Sequence, residues 1–359
     1  MQTHRIGILT SGGDCPGLNA VLRGVTKAAE KRGWQVIGFR DGFEGLLPPP
    51  QYMILDHTRT AGIMQQGGTI LGSTNRGHFA AKIGAGEIAQ VPADIVEKAR
   101  GTIANLEIEG LILVGGDGSL TTGLQLQEAG FQIIGVPKTI DNDLAATSMT
   151  FGFNSAVEFV TEALDRLHAT AMSHKRVMVL EVMGRNAGWI ALYGGVAGGG
   201  DVILLPEIPF DWEKVASAVR QRDSGGYKST MIVVAEGAKP KDGEQFHKKN
   251  MGGEHRLGGI GEIVTAEVIK RTGKETRCCV LGHLQRGGVP TTIDRQLGMQ
   301  FGVKAVQLIA QRKFGTMVSY QNSETFDVPI ADAVNRLRVV DLDHQLVATA
   351  REMGISFGD

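Results

Sequence analysis

The sequence predicts an α/β protein built on mainly parallel sheets. Two patterns point there. Short β-branched runs alternate with stretches of helical periodicity, the signature of βαβ units. Glycine clusters fall directly after several of those runs, where open α/β sheets admit ligands. At 359 residues the chain has roughly two domains' worth of length, at ~100–200 residues each.

In chain order, strands are expected at Arg5–Thr10, Gln35–Phe39, Leu111–Val114, Gln132–Val136, Arg176–Glu181, Val202–Leu205, Met231–Ala235 and Arg277–Leu281. Helices are expected at Leu18–Lys31, Pro92–Asn105, Leu120–Glu128, Ser155–Thr170, Trp212–Gln221, Ile260–Arg271 and Asp294–Gln311. The segment Ala238–Gly259 (AKPKDGEQFHKKNMGGEHRLGG) is polar, basic and Gly-rich. It reads as a solvated surface loop or, alternatively, as a mobile lid or an effector contact. No internal repeat of 20–50 residues is found.

Composition narrows the function classes. Charged residues make up 21% and the formal net charge is −1, which argues against a polybasic nucleic-acid arm or an acidic disordered tail. An anionic ligand must therefore be held by local placement of Arg and Lys. The three cysteines, Cys15, Cys278 and Cys279, are odd in number and two are adjacent, as expected in a reducing compartment without a disulfide framework. The N-terminus shows no charged-then-apolar leader and no run of ~18 apolar residues occurs, so a cytoplasmic protein is expected. The 50 glycines are about twice the usual ~7% share; they mark turns and ligand loops.

Five clusters carry chemistry. Thr10-Ser11-Gly12-Gly13-Asp14-Cys15-Pro16-Gly17 lies between a strand and a helix, where main-chain N–H groups and a helix dipole suit an anion. It is neither GxGxxG nor GxxxxGK[ST], and Asp14 alone reads as a turn or cap residue. Gly115-Gly116-Asp117-Gly118-Ser119 follows the apolar run LILV. A carboxylate between glycines there suits Mg²⁺, which takes a few hard oxygens and keeps waters; an ordinary turn capped by Asp is the plainer alternative. Pro137-Lys138-Thr139-Ile140-Asp141-Asn142-Asp143 places two carboxylates two residues apart, one to accept a hydroxyl proton and one to orient metal-bound water. Glu181-Val-Met-Gly-Arg185, with Arg176 upstream, and Glu275-Thr-Arg277 through Leu281-Gly-His283-Leu-Gln-Arg286 supply forked donors for a phosphate dianion. Surface ion pairs account equally well for any one of these arginines, and a core role for His283. Glu236, ending the run MIVVA, is placed to accept bonds from sugar hydroxyls or to serve structurally.

Together and in order, SGGDxPGxN, GGDGS, TIDND, MGR and ETRxxVLGHxQRGG closely resemble the 6-phosphofructokinase family, over about residues 5–310. The resemblance implies two Rossmann-like three-layer α/β domains with the active site in the cleft between them. It suggests a larger ATP-binding domain of 1–152 plus 260–336 and a smaller fructose 6-phosphate-binding domain of 153–259 plus 337–359. It implies a glycolytic kinase that uses ATP and Mg²⁺, allosteric and homotetrameric, with active sites shared between subunits. By motif, Asp141 resembles the base for the sugar 1-hydroxyl, supported by Thr139 and Asp143, with Ile140 also at the substrate. Asp117 resembles the Mg²⁺ ligand; Gly12, Gly116, Asp117, Gly118 and Ser119 resemble the ATP cradle. Met183, Gly184, Arg185 and Glu236 match sugar-contacting positions, Arg185 also steadying charge in flight. His283 and Arg286 match the 6-phosphate clamp, and Arg176 and Arg277 match residues that reach a neighbouring subunit's site.

The chain departs from the pattern in three places. Pyrophosphate users of the family typically combine Asp where this chain has Gly118 with Lys at the position of Lys138, and the familiar bacterial ATP users have Gly at both. This chain mixes the two. An Asp at 118 would crowd and repel the α-phosphate of ATP, so Gly118 makes ATP the expected donor, with a pyrophosphate-dependent enzyme the alternative. Leu71-Gly-Ser-Thr-Asn75-Arg76 resembles the family's LGSxR with Asn75 where Arg stands and Arg76 one residue later, and Arg76 is expected to reach ATP from that displaced register. At the positions of the bacterial effector site, Arg23 and Lys27 match. His57 and His168 replace arginines, Asp201 stands at the acidic position, and Gly225 and Tyr227 replace lysines. Weak or absent ADP activation is expected, either through a different effector sensed by the histidines or because the site is vestigial. A relative of NAD or lipid kinases shares GGDG but has no need of MGR or GHxQRGG. A phosphosugar-binding regulator built on a dead kinase would have lost Asp117 or Asp141, and no DNA-binding basic helix is visible.

Overall fold

In a computed structural model, the structure describes residues 4–74, 77–79, 82–83, 87–249, 255–334 and 336–359. Strands in chain order are β1 (Arg5–Thr10), β2 (Gln35–Phe39), β3 (Tyr52–Leu55), β4 (Lys82–Ile83), β5 (Glu87–Ile88), β6 (Ile108–Gly115), β7 (Ile133–Pro137), β8 (Val177–Val182), β9 (Val202–Leu204), β10 (Thr230–Ala235), β11 (His247–Lys249), β12 (His255–Leu257), β13 (Thr276–Val280), β14 (Thr316–Gln321) and β15 (Glu324–Pro329). Helices are α1 (Leu18–Glu30), α2 (Ala93–Asn105), α3 (Asp117–Glu128), α4 (Phe153–His174), α5 (Trp189–Ala197), α6 (Trp212–Ser224), α7 (Ile260–Thr272), α8 (Thr292–Ala310), α9 (Ile330–Val334) and α10 (Gln345–Glu352).

The chain divides into two compact units. The first comprises Met1–Ile140, Leu144–Ser155 and Arg286–Leu337. Its seven-stranded sheet runs β15-β14-β7-β6-β1-β2-β3; the pairs from β14 to β2 are parallel and both edge pairs antiparallel. The central strands are apolar over most of their length, as expected of a parallel sheet covered by helices on both faces. Leu9, Leu113, Leu120, Ile133 and Met317 meet in its core. Helices α1 and α8 approach at Gly24, where an added Cβ would lie 2.6 Å from the Met299 carbonyl, and at Gly302, where it would lie 2.5 Å from the Val21 carbonyl.

The second unit comprises Asp141–Asp143, Ala156–Gln285 and Arg338–Asp359. Its sheet, β13-β8-β10-β9, is parallel throughout. Val179, Leu204, Val234, Ile260 and Val264 form its core. The expected boundary at residue 260 differs from this division. Residues 260–285 belong to the second unit because β13 pairs with β8 from Thr276↔Val177 to Val280↔Glu181, and α7 connects into that pairing. The carboxylate of Glu181 on β8 accepts the Gly259 N–H at 3.1 Å and the Gly261 N–H at 2.8 Å. It thereby places an anion at the start of α7, where the helix dipole favours one.

Two features differ from the sequence expectation. Residues 316–329 form the hairpin β14–β15, turning through Asn322 and Ser323 at φ of 49° and 67°, both left-handed as a two-residue hairpin turn requires. Part of 238–259 is structured: β11 and β12 pair antiparallel, the Phe210 N–H donates to the Lys239 carbonyl at 3.1 Å, and Phe246 packs on the core.

Candidate active site

In the first unit the glycine turn after β1 is held tightly. Gly12 has φ 84°; its N–H donates to the Thr74 carbonyl at 3.0 Å, and its carbonyl accepts the Ser73 hydroxyl at 2.6 Å. Lys138, 3% exposed, donates from Nζ to the Gly13 carbonyl, so a buried cation sits directly under the loop. Arg286 donates to the Asp14 carbonyl at 3.3 Å. A cavity of about 370 Å³ is lined by Gly12, Gly13, Asp14, Gly68, Thr69 and Ser73, a volume within the ~300–1,000 Å³ of small-molecule sites. Cys15 lies inside this turn, and burial pushes its thiol up to about 12, so it is no nucleophile at neutral pH.

Beside this turn, α3 begins at Asp117, three residues earlier than the sequence suggested, and its N-cap Gly116 provides no side-chain cap. The first-turn N–H groups of Asp117, Gly118 and Ser119 are therefore arranged for an anion. Space is tight here. A Cβ on Gly116 would lie 3.1 Å from the Lys138 carbonyl. Thr139 and Ile140 are buried, and the Thr150 hydroxyl holds the Thr139 carbonyl at 2.6 Å. Gly12, Gly116, Asp117, Gly118, Ser119, Lys138, Thr139 and Arg286 thus belong to one unit. Arg76 lies outside the described residues.

The second unit carries the remaining predicted residues. Gly184 stands at φ 137° with its Cβ position 2.8 Å from the Ala187 carbonyl, so only glycine makes this turn without strain. The turn is clasped from β10: Gly237 N–H donates to the Gly184 carbonyl at 3.1 Å and Glu236 N–H to the Val182 carbonyl at 2.8 Å. Met183, Gly184, Arg185 and Glu236 are thereby brought together. Asp141 and Asp143 flank Asn142, which is buried with φ 53°. Arg176 and Arg277 share the Glu275 carboxylate at 2.8 and 2.6 Å. The Arg176 hydrogen bond, with both guanidinium charges, holds that carboxyl below its ordinary value. His283 is exposed, so the core-histidine reading fails.

Three residues escaped the sequence reading. Gln285, 1% exposed, accepts the Met183 N–H at 3.2 Å and so ties the His283 turn to the Met183 turn. Its place between His283 and Arg286 was the available signal. Gln245 donates to the Arg185 and Gly237 carbonyls at 3.2 and 3.0 Å. Arg338 bonds the Asn142–Asp143 main chain, and no local pattern announces it.

At the effector-like positions, side chains bond within each unit. Arg23 donates to the His57 carbonyl and the Thr60 hydroxyl at 3.3 and 3.2 Å, and Lys27 pairs with Glu30 at 3.0 Å. In the second unit Asp201 pairs with Arg222 at 2.9 Å, whose guanidinium lies 4.2 Å over the Tyr227 ring. Burial raises the Asp201 carboxyl above its ordinary value. His168 Nε2 lies 2.9 Å from the Gly198 carbonyl.

A family model described as Phosphofructokinase matches residues 5–309. The chain belongs to the phosphofructokinase family. The ATP-dependent 6-phosphofructokinase of Chloroflexus aurantiacus is 50% identical over 358 residues, covering 100% of this chain and 99% of that protein. The pyrophosphate–fructose 6-phosphate 1-phosphotransferase of Streptomyces coelicolor is 45% identical over 359 residues, covering 99% of this chain and 100% of that one. Among solved structures, Pichia pastoris phosphofructokinase in the T-state superposes with a TM-score of 0.81 at 28% identity. That match covers 99% of this chain but 37% of the Pichia chain, so this chain spans little more than a third of that longer polypeptide.

Proposed function

We propose that the chain transfers the γ-phosphoryl group of ATP to the 1-hydroxyl of fructose 6-phosphate, giving fructose 1,6-bisphosphate and ADP. It is a phosphotransferase of glycolysis. What supports ATP as donor is the presence of Gly118 in the first turn of α3, where an aspartate would set negative charge against the nucleotide phosphates; full-length ATP-dependent relatives at 50% identity support it as well.

Asp141 takes the 1-hydroxyl proton, and the freed oxygen attacks the γ-phosphorus in line as ADP leaves. Such transfers depend on positioning and charge stabilisation more than on covalent chemistry. Thr139 and Asp143 support the base. Arg185 steadies the charge on the moving phosphoryl group, and Met183, Gly184 and Glu236 hold the sugar. His283 and Arg286 clamp the 6-phosphate. The Gly12 turn and Gly116–Ser119 cradle the phosphates of ATP, with Lys138 below the turn.

For Mg²⁺, the donor set fits. Among the described residues no group of three or more His, Cys, Asp or Glu forms a protein cage, and a single carboxylate, Asp117, at the strand end is what an ion shared with substrate phosphates needs. When bound, Mg²⁺ neutralises phosphate charge.

Arg176 and Arg277 act on a neighbouring subunit's site, so the working form is a homo-oligomer, a tetramer in our reading, and it resides in the cytoplasm. Among the described residues no helix is long and apolar enough to cross a membrane. Effector control differs from ADP activation; strong activation by ADP, abolished by Arg23→Ala, would overturn that point.

The deciding assay runs fructose 6-phosphate with Mg-ATP and with Mg-pyrophosphate side by side. Turnover with ATP alone is expected. Turnover with pyrophosphate would make Lys138, rather than Gly118, the donor determinant.

A further inference from the structure

The family match ends at residue 309, yet the chain beyond it reaches the proposed catalytic loop. Within the second unit, Arg338 makes two bonds to that loop. Its main-chain N–H donates to the Asp143 carbonyl at 2.8 Å, and its Nη1 donates to the Asn142 carbonyl at 3.1 Å. The guanidinium lies 4.3 Å over the Trp189 ring, and Trp189 Nε1 donates back to the Arg338 carbonyl at 2.9 Å. Two residues on, the Val340 N–H donates to Glu207 at 2.8 Å. The same carboxylate accepts the Gly188 N–H at 2.9 Å, at the N-cap of α5. Residues 338–340 therefore form a strap from the catalytic loop to the start of α5.

The loop needs such a strap. Asn142, between the two carboxylates, stands at φ 53°, a left-handed conformation that costs a non-glycine residue free energy and persists where neighbours over-determine it. Its carbonyl and the next are the two that Arg338 holds. A flat guanidinium is the right group for this contact, because it stacks on an indole while its N–H groups keep fixed directions, which an ammonium does not.

We infer that Arg338 is a positioning residue for phosphoryl transfer, fixing the Asn142–Asp143 main chain and through it the carboxylate of Asp141. The inference rests on Asp141 being the base. It separates Arg338 from substrate binding: a misplacement of about 1 Å at a reacting group costs ~10²-fold in rate, while the sugar and nucleotide contacts lie elsewhere.

The test is steady-state kinetics on the full-length enzyme with Mg-ATP. Arg338→Met keeps a stem over Trp189 and removes the donors. Its kcat should fall about 10–100-fold, with both KM values within about threefold of wild type. Arg338→Lys should recover part of that loss. Trp189→Phe keeps an aromatic ring and removes one bond to the strap; its kcat should fall several-fold. A kcat for Arg338→Met within twofold of wild type overturns the inference. So does a loss in which KM rises as much as kcat falls and Lys brings no recovery. If Arg338→Met does not fold, Trp189→Phe decides: unchanged kcat overturns the inference and a selective loss of kcat supports it. Asp141→Asn, measured alongside, separates the two readings. Normal turnover there removes the base and the inference with it; lost turnover there with normal Arg338→Met removes the inference alone.

Discussion

The two units present their functional groups in opposite ways. In the first, apart from Arg286, the groups are main-chain atoms and short or buried side chains: the Gly12 turn, the open end of α3, Ser119 and Thr139 at 9% exposure and Lys138 at 3%. In the second, the charged groups are mostly long side chains near solvent, with Arg185, Arg277 and His283 exposed and two arginines tied to Glu275, beside the buried Met183 and Gly184. Under the proposed function, the contrast follows from what each unit would hold. A chain of phosphates is met by N–H groups whose directions the fold has already set. A sugar phosphate is met by forked cations that give up one carboxylate for another oxyanion. Substitution in the first unit therefore disturbs shape, and in the second it removes charge.

The largest effect that would break or sharpen this contrast comes from Asp141→Asn. Its kcat should fall on the order of 10²–10⁴-fold, the usual contribution of a general base, with KM for fructose 6-phosphate within a few-fold. Near-normal turnover would remove Asp141 from the chemistry. Next is Gly118→Asp, which sets a negative charge at the helix start facing ATP. Like-charge contacts cost several kcal/mol, so kcat/KM for ATP should drop roughly 10²-fold, read from initial rates. An unchanged value would show that the first unit tolerates side chains where we see a cradle.

Arg277→Ala tests the other side. Its pair with Glu275 is exposed, and such pairs contribute ~0–1 kcal/mol, so Tm should move by no more than a few degrees. Loss of a charge-assisted bond to phosphate should nevertheless raise KM for fructose 6-phosphate about tenfold or more. A large drop in Tm with unchanged KM would reassign Arg277 to structure.

The smallest effect is a pH dependence. Burial raises the Glu207 carboxyl above its ordinary value, against the opposing bonds from the Val340 and Gly188 N–H groups. The folded protein thus holds this proton more tightly than the unfolded chain does. Its stabilising contribution is fully present below about pH 4.3 and is lost as pH rises through the folded value. The Tm of wild type relative to Glu207→Gln should therefore decline from about pH 4 toward neutrality. A relative Tm that climbs over that range would contradict the sign.

Much of this was legible in the sequence, and the reasons are physical. Parallel strands buried on both faces must be β-branched runs, so LILV and MIVVA stood out, and turns that approach ligands need glycine, so GGDG and MGR did too. What escaped depends on contacts without local cause. Helix α5 (WIALYGGVA) is not among the expected helices, and its paired glycines Gly194 and Gly195 are where Val160 and Ile203 pack closely. The hairpin turns on Asn322-Ser323 rather than on a glycine. Placing 260–285 required knowing that β13 lies beside β8, which chain order does not reveal. Arg338 reaches Asn142 across 196 residues, a pairing that only the folded chain makes.

Glu181 has a consequence for how the protein is made. Its carboxylate caps a helix whose first residues lie 78 to 80 positions downstream. During synthesis at ~5–20 residues per second, that strand leaves the ribosome several seconds before the helix it will cap. The nascent chain thus already holds the receiving end of the contact, so the start of α7 meets a waiting partner as it emerges. A circular permutant that delivers α7 before β8 would reverse this order of assembly while leaving Glu181 and the start of α7 available to make the same contact.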